Sequence, residues 1–259
     1  AKDLGADALA TCHYVRRVGG PQGVDLRCAA DDGRDQSYFL FATTREQLEF
    51  LRFPLGDLTK SAARELAREL GIHVSEKPDS QDICFVPNGK YADVIQSLRP
   101  DATRPGEIVH IDGRILGNHD GVIHFTVGQR KGLGVGGEAE PLYVVRIEPE
   151  TARVVVGPKD ALLKRSFAIH SVNWLGAGSG PVPDGASVKV KLRNTHAPMP
   201  ATIFPAQNDM VNVVLTKPEA AVSPGQACVF YDGKRVLGGG WICRDEAAVH
   251  RPHNLRRAV

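Results

Sequence analysis

Ala227-Cys228-Val229-Phe230-Tyr231-Asp232-Gly233-Lys234-Arg235-Val236-Leu237 reads as two apolar runs around a turn. β-Branched and aromatic side chains fill both runs, and Asp232-Gly233 sits where a tight turn joins antiparallel strands. The spacing predicts strands over Ala227 to Tyr231 and over Arg235 to Cys243. Working back from this hairpin, short apolar segments recur at Val188 to Arg193, Ala201 to Phe204 and Met210 to Leu215. Five strands with regular turns predict a small C-terminal β-barrel over residues 161–249, followed by a basic tail over 250–259.

Upstream the pattern changes twice. Residues 83–160 carry many Gly and His, short apolar segments at Ile108 to Ile111, Ile123 to Val127 and Leu142 to Ile147, and the turn signal Asp112-Gly113. This predicts a mainly β central domain, with one helix near Tyr91 to Leu98. In residues 1–82, a short strand is expected over Ala8 to Thr11. Thr44-Arg45-Glu46-Gln47 has the form of a capping box, opening a helix with Leu48 and Leu51 inward. A second helix is expected from Lys60 to Leu70, with Ala62, Leu66 and Leu70 on one stripe and Gly71 as its stop. Helices between short apolar strands fit the closing half of an α/β nucleotide-binding domain. The fold class is thus α/β plus β.

The strongest candidate for chemistry is Cys84, within Asp79-Ser80-Gln81-Asp82-Ile83-Cys84-Phe85. If Ile83 to Val86 is extended, Ile83 and Phe85 share one face and Cys84 takes the other, toward whatever the polar approach loop encloses. A small buried hydrophobe is the competing reading of this heptapeptide taken alone. Gly132, Gly134 and Gly137 satisfy Gly-x-Gly-x-x-Gly. The Leu142 to Ile147 strand follows them where a dinucleotide site needs a helix, so they read as a glycine-rich loop in β structure. Arg130-Lys131 before them could meet an RNA backbone. His110, His119 and His124 fit no standard zinc spacing and are taken as surface or core histidines.

Other segments fall in a fixed order along the chain: Leu9-Ala10-Thr11-Cys12-His13-Tyr14, Arg34-Asp35-Gln36-Ser37-Tyr38-Phe39-Leu40, Phe53-Pro54-Leu55-Gly56, the Cys84 heptapeptide, Thr126-Val127-Gly128-Gln129-Arg130-Lys131-Gly132-Leu133-Gly134 and Ser223-Pro224-Gly225-Gln226. Together, from about Leu4 to Ile242, they resemble the tRNA-specific 2-thiouridylases. The resemblance implies a PP-loop type, ATP-pyrophosphatase-like domain of which residues 1–82 are the C-terminal part. A central β domain and a C-terminal barrel follow. It implies ATP, with Mg2+, as the activating co-substrate, and tRNA and a sulfur-donor or relay protein as partners. Family members open with Ser-Gly-Gly-x-Asp-Ser-Ser and a first catalytic cysteine. Neither occurs here, so the chain is expected to be a fragment and to transfer no sulfur alone.

Site residues follow by matching. Cys84 stands where the family carries a persulfide. His13, Arg34, Asp35, Gln36, Arg193, Asn194 and Gln226 stand at positions that contact tRNA. Arg34, just before a helix start capped by Asp35, would suit a phosphate; a capped surface helix is the alternative. His13 could stack on a base or simply belong to the core. Asn194 replaces the family's usual aromatic. Cys12 replaces a glycine beside ATP, where the added bulk is either tolerated or weakens binding, or where the thiol would serve as a resolving thiol for Cys84. Lys77 is a candidate for lowering the Cys84 pKa, against which Asp79 and Asp82 would work unless they cap backbone amides. A catalytically inactive tRNA-binding module and a sulfur-carrier protein are the rival functions.

Composition narrows the setting. Among 259 residues the formal net charge is +2 and the pI is near 8.3, which neither demands nor excludes a nucleic-acid partner. Local basic clusters occur at Arg16-Arg17 and at Lys189, Lys191 and Arg193. Five irregularly spaced cysteines, with no Cys-x-x-Cys pair, argue against a disulfide framework and a zinc ribbon. With no long apolar run and no leader pattern, a cytoplasmic protein without membrane association is expected.

Overall fold

The computed structural model describes residues 1–20, 23–72, 103–137, 139–176, 181–220 and 222–244. The heptapeptide around Cys84, Lys77, the helix expected near Tyr91 and the basic tail lie outside the described residues. Two units are formed: one from residues up to 72 with 165–218 and 222–244, the other from 103–164 with 219 and 220.

In the first unit, β1 (Leu9–Ala10), shorter than the expected Ala8 to Thr11, is followed by hairpin strands β2 (Val15–Gly20) and β3 (Gly23–Cys28). Helix α1 (Arg45–Phe50) starts where the sequence predicts: the Thr44 hydroxyl accepts the Gln47 amide, and the Gln47 side chain accepts the Thr44 amide. Leu48 is fully buried. Leu51, expected on the same helix, instead starts β4 (Leu51–Arg52), which pairs in parallel with β1.

Helix α2 (Lys60–Glu69) is capped by the Thr59 hydroxyl. It closes with Ile72 N–H donating to Ala67 O and Gly71 N–H to Arg68 O, which needs the left-handed φ of +68° at Gly71. Its apolar stripe is present but uncovered, Leu66 and Leu70 both being exposed.

The second unit is a four-stranded sheet of β5 (Gly106–His110), β6 (Ile115–His119), β7 (Tyr143–Glu148) and β8 (Arg153–Gly157), in the order β6-β5-β8-β7. Asp112-Gly113 turns β5 into β6, as expected. The segment Ile123 to Val127 is not a strand; Val122–His124 forms a 3-10 turn whose buried Val122 packs on Ile108, Val144 and Val154. Strand β8 went unpredicted. It lies inside the sheet with Val154, Val155 and Val156 all buried, so it lacks the alternation that marks a half-exposed strand.

His119 is buried in this unit between two backbone groups. Its Nδ1 accepts the Gly121 amide at 3.1 Å and its Nε2 lies 3.1 Å from Ala152 O, so the neutral ring with the proton on Nε2 satisfies both. Burial holds its pKa below the ordinary 6.5. The unfolded chain therefore takes up a proton at a pH where the folded chain does not. The stabilisation is whole above pH 6.5 and is lost as pH falls through the folded pKa. Thermal melts are expected to show a lower Tm at pH 5 than at pH 7, and His119→Gln is expected to flatten that dependence.

The rest of the first unit is a barrel. Strands β9 (Lys164–Trp174), β10 (Ala186–Lys191), β11 (Met199–Pro205), β12 (Val211–Glu219), β13 (Ala227–Asp232) and β14 (Arg235–Ile242) run in the order β13-β10-β11-β12-β9-β14. The pairing of β13 with β14 closes the ring at six strands. Five were expected. The missed β9 begins Lys-Arg-Ser and has Ser171 at a φ of +51°, which breaks its alternation. Strand β3 joins the barrel from outside, Arg27 pairing with Arg235 of β14.

Candidate functional site

The segment Arg34 to Phe41 is where the N-terminal part meets the barrel. No helix starts at Asp35. A 3-10 turn, Asp32–Arg34, ends there and a hydrogen-bonded turn follows. Asp35 is still a cap, but of that turn: its carboxylate accepts the amides of Ala29 at 3.0 Å and Ser37 at 3.2 Å, and the Ser37 hydroxyl at 2.7 Å. A helix is ruled out because Asp35 spends its acceptors on Ala29 as well as on the chain ahead.

The Ser37 proton is committed to that carboxylate, so the Tyr231 hydroxyl, 3.1 Å away, donates to Ser37 Oγ. Burial pushes the Tyr231 pKa up. Cys28 Sγ lies 3.5 Å from the same oxygen; burial raises its pKa and the Ser37 contact opposes the rise. Such a thiol is structural rather than reactive.

Gln36 holds the His13 segment. Its side-chain oxygen accepts the Tyr14 amide at 2.8 Å, and its own amide donates to Tyr14 O at 3.0 Å. His13 is thereby presented beside Gln36, exposed, with Nδ1 3.1 Å from Thr11 Oγ1. Cys12 is an exposed free thiol at the end of β1, and Arg34 is exposed at the end of its turn.

Tyr38 ties this segment to the barrel; it lies within the Arg34 to Leu40 motif, but no role for it follows from the sequence. Its buried hydroxyl lies 3.0 Å from Leu192 O and 2.9 Å from Ala227 O, sharing one proton between them. Burial pushes its pKa to about 12, with Arg193 close enough to oppose the rise. Asn173 adds a second tie, donating to Phe41 O at 2.7 Å and Thr43 O at 2.9 Å.

The predicted barrel residues flank the Tyr38 contact. Lys191 of β10 pairs with Val229 of β13. Because the two strands are antiparallel, Arg193 and Asn194, just past the end of β10, and Gln226, just before β13, lie at the same end of the barrel. Four polar atoms here, Arg193 Nε, Asn194 Oδ1, Ser223 Oγ and Gln226 Oε1, are buried without a hydrogen-bond partner among the described residues. Each such atom costs about 1–3 kcal/mol. Arg27 Nε, Trp174 Nε1 and Arg235 Nε are likewise unpaired elsewhere in the unit, but the four here fall on two segments at one end of the barrel, where water or an external polar ligand would satisfy them together. The Ser223 hydroxyl was not singled out in the sequence, although it lies in the Ser223 to Gln226 turn that was.

In the second unit the glycine-rich loop bounds a cavity of about 460 Å³ lined by Arg130, Leu133, Val135 and Pro141 among others. Among the described residues no group of three His, Cys, Asp or Glu side chains converges as metal ligands. No helix among them is long and apolar enough to cross a membrane.

Three family models match the chain in succession: a tRNA methyl transferase HUP domain over residues 1–88, a tRNA methyl transferase PRC-barrel domain over 92–158 and an aminomethyltransferase beta-barrel domain over 164–242. The class is thus an α/β HUP domain followed by two β domains. The chain is 58% identical over 256 residues to a tRNA-specific 2-thiouridylase MnmA of Rhodospirillum centenum, covering 96% of this chain and 64% of that one. It is 58% identical over 257 residues to the protein of that name from Methylobacterium radiotolerans, covering 97% and 67%. With the Paracoccus denitrificans protein of that name it shares 58% over 245 residues, covering 93% and 62%. The chain belongs to the tRNA-specific 2-thiouridylase family. It spans roughly two thirds of the length of these relatives, 64%, 67% and 62%.

Proposed function

We propose that the protein carrying this chain replaces the C2 oxygen of the wobble uridine of tRNA by sulfur in the cytoplasm, using ATP with Mg2+ and a sulfur-donor protein. The observation that carries this reading is the group of unsatisfied polar atoms on Arg193, Asn194, Ser223 and Gln226, next to the Tyr38 contact with the Arg34-Asp35-Gln36 segment. The names of the relatives supply the substrate. Arg193, Asn194, Gln226, Arg34, Gln36 and His13 bind the tRNA, and Asp35 holds their loop in shape.

Chemically, adenylation makes O2 of the uridine a leaving group. A persulfide on Cys84 then attacks C2 through its terminal sulfur, and AMP departs with the oxygen. A second thiol takes the bond to the Cys84 sulfur, leaving 2-thiouridine and a disulfide. Cys12 stands at the place of the family's glycine beside ATP, its thiol exposed at the end of β1.

The test is ATP-dependent transfer of labelled sulfur to tRNA by the full-length protein, with tRNA binding followed across salt concentrations. Arg193→Ala is expected to weaken tRNA binding about tenfold. It should also reduce the slope of log affinity against log salt by about 0.7–0.9, one phosphate contact. Binding without transfer would make the protein an inactive tRNA-binding module. A persulfide without tRNA binding would make it a sulfur carrier.

A further inference from the structure

Within the run Tyr38-Phe39-Leu40-Phe41, one side chain turns away from the core. Tyr38 and Phe41 are buried and belong to the core cluster of the first unit, and Leu40 packs against it. Phe39 is 64% exposed and has no place in that cluster. Its backbone is held by the Phe39 amide donating to Gln36 O at 3.1 Å and the Leu40 amide to Ser37 O at 3.2 Å. Its ring stands edge-on to Tyr38, centroids 5.7 Å apart at 86°. An exposed aromatic on a tied turn is rigid, so ordering it on binding costs little entropy.

Its surroundings indicate what such a ring would meet. Gln36, which fixes the Phe39 turn, also fixes Tyr14 and so the exposed His13. Tyr38 carries the turn onto the barrel beside Arg193 and Gln226. A protein partner would call for a contiguous apolar patch, whereas Phe39 is the one large apolar side chain exposed among described residues 10–65. One flat ring amid hydrogen-bonding groups is the arrangement that takes an unstacked base from single-stranded RNA. We infer that Phe39 is a stacking platform for a base extruded from the RNA that this site binds. This rests on the tRNA-binding reading and adds a residue to it.

The experiment compares wild-type full-length protein with Phe39→Ala, Phe39→Leu, Phe39→Tyr and Phe39→Trp, using unmodified tRNA with a wobble uridine as probe. Phe39→Ala is expected to lower tRNA affinity about 5- to 150-fold, the range for removing one stacking aromatic. Phe39→Leu should fall with it, Tyr and Trp should stay within about threefold of wild type, and Tm should hold throughout because the side chain is exposed. Fluorescence of the introduced Trp, above the wild-type background, should be quenched by tRNA. Full affinity in Phe39→Ala, rescue by Leu, or loss confined to sulfur-donor binding would overturn the stacking role while leaving tRNA binding intact. Absence of tRNA binding by the wild type would overturn both.

Discussion

Cys84→Ser in the full-length protein is expected to abolish ATP-dependent thiolation of tRNA, by at least about 10³-fold, while leaving tRNA affinity within about twofold. The two readouts separate because the segment that would hold tRNA is tied through Gln36 to Tyr14, through Asp35 to Ala29 and through Tyr38 to the barrel, and a Cys84→Ser change alters none of these groups. A serine hydroxyl cannot store sulfur as a persulfide, and at neutral pH almost none of it is ionised. Among the described residues, two of the other thiols are poorly equipped for the role. Burial raises the pKa of both Cys28 and Cys228, which keeps them protonated and slow. Cys12 is exposed and is the thiol that would report a shared role. Intact-mass analysis after loading from a sulfur donor should find one added sulfur on wild type and none on Cys84→Ser. Transfer surviving in Cys84→Ser would move the sulfur-carrying role to another residue.

The second large effect is on stability. Gly56→Ala is expected to destabilise the first unit by about 3 kcal/mol or more, lowering Tm by roughly 6–12 °C for a cooperative unit of this size. A Cβ on Gly56 would overlap the carbonyl oxygen of Val15 and meet its carbon at 2.7 Å and Arg16 Cγ at 3.1 Å. The neighbour is backbone, and neither side can move. Val15 is fully buried and starts β2 opposite Cys28, while Gly56 O accepts the Ala30 amide at 2.9 Å. Because the residue beyond Val15 and Tyr14 is His13, the strain reaches the proposed tRNA face, and tRNA affinity is expected to fall with Tm. Gly19→Ala, on the same strand with open space around its Cβ, should be neutral to within about 0.5 kcal/mol. A Tm unchanged in Gly56→Ala would mean that the Phe53-Pro54-Leu55-Gly56 turn is not seated on β2.

Much of the architecture could be read locally. The capping box at Thr44, the Gly71 stop and the Asp232-Gly233 hairpin each depend on residues a few positions apart, so short-range hydrogen bonding determines them. The elements that went unread are those whose pattern is set by distant neighbours. Strand β8 is apolar on both faces because both are buried, Val154 and Val156 on one and Val155 on the other, while β5 and β7 pair along its edges. Strand β9 is irregular because it bends where it pairs with β14, whose register shifts between Gly239 and Trp241. The expected helix after Arg34 failed for a related reason, Asp35 being drawn to Ala29 by the fold of the preceding hairpin.

The candidate site divides in the same way. The amino-acid sequence by itself singled out the candidates, through the family positions they match: the cysteine in its heptapeptide, the Arg34-Asp35-Gln36 triplet, Arg193, Asn194 and Gln226. Those are matters of residue type and local order, which a chain displays before it folds. Only the tertiary structure decided that Gln36 clamps Tyr14, that one tyrosine hydroxyl serves two carbonyls 35 residues apart at Leu192 and Ala227, and that Phe39 alone among its neighbours faces outward. Such contacts depend on how strands pair and where a core runs out of room, and burial of this kind is a property of the assembled chain.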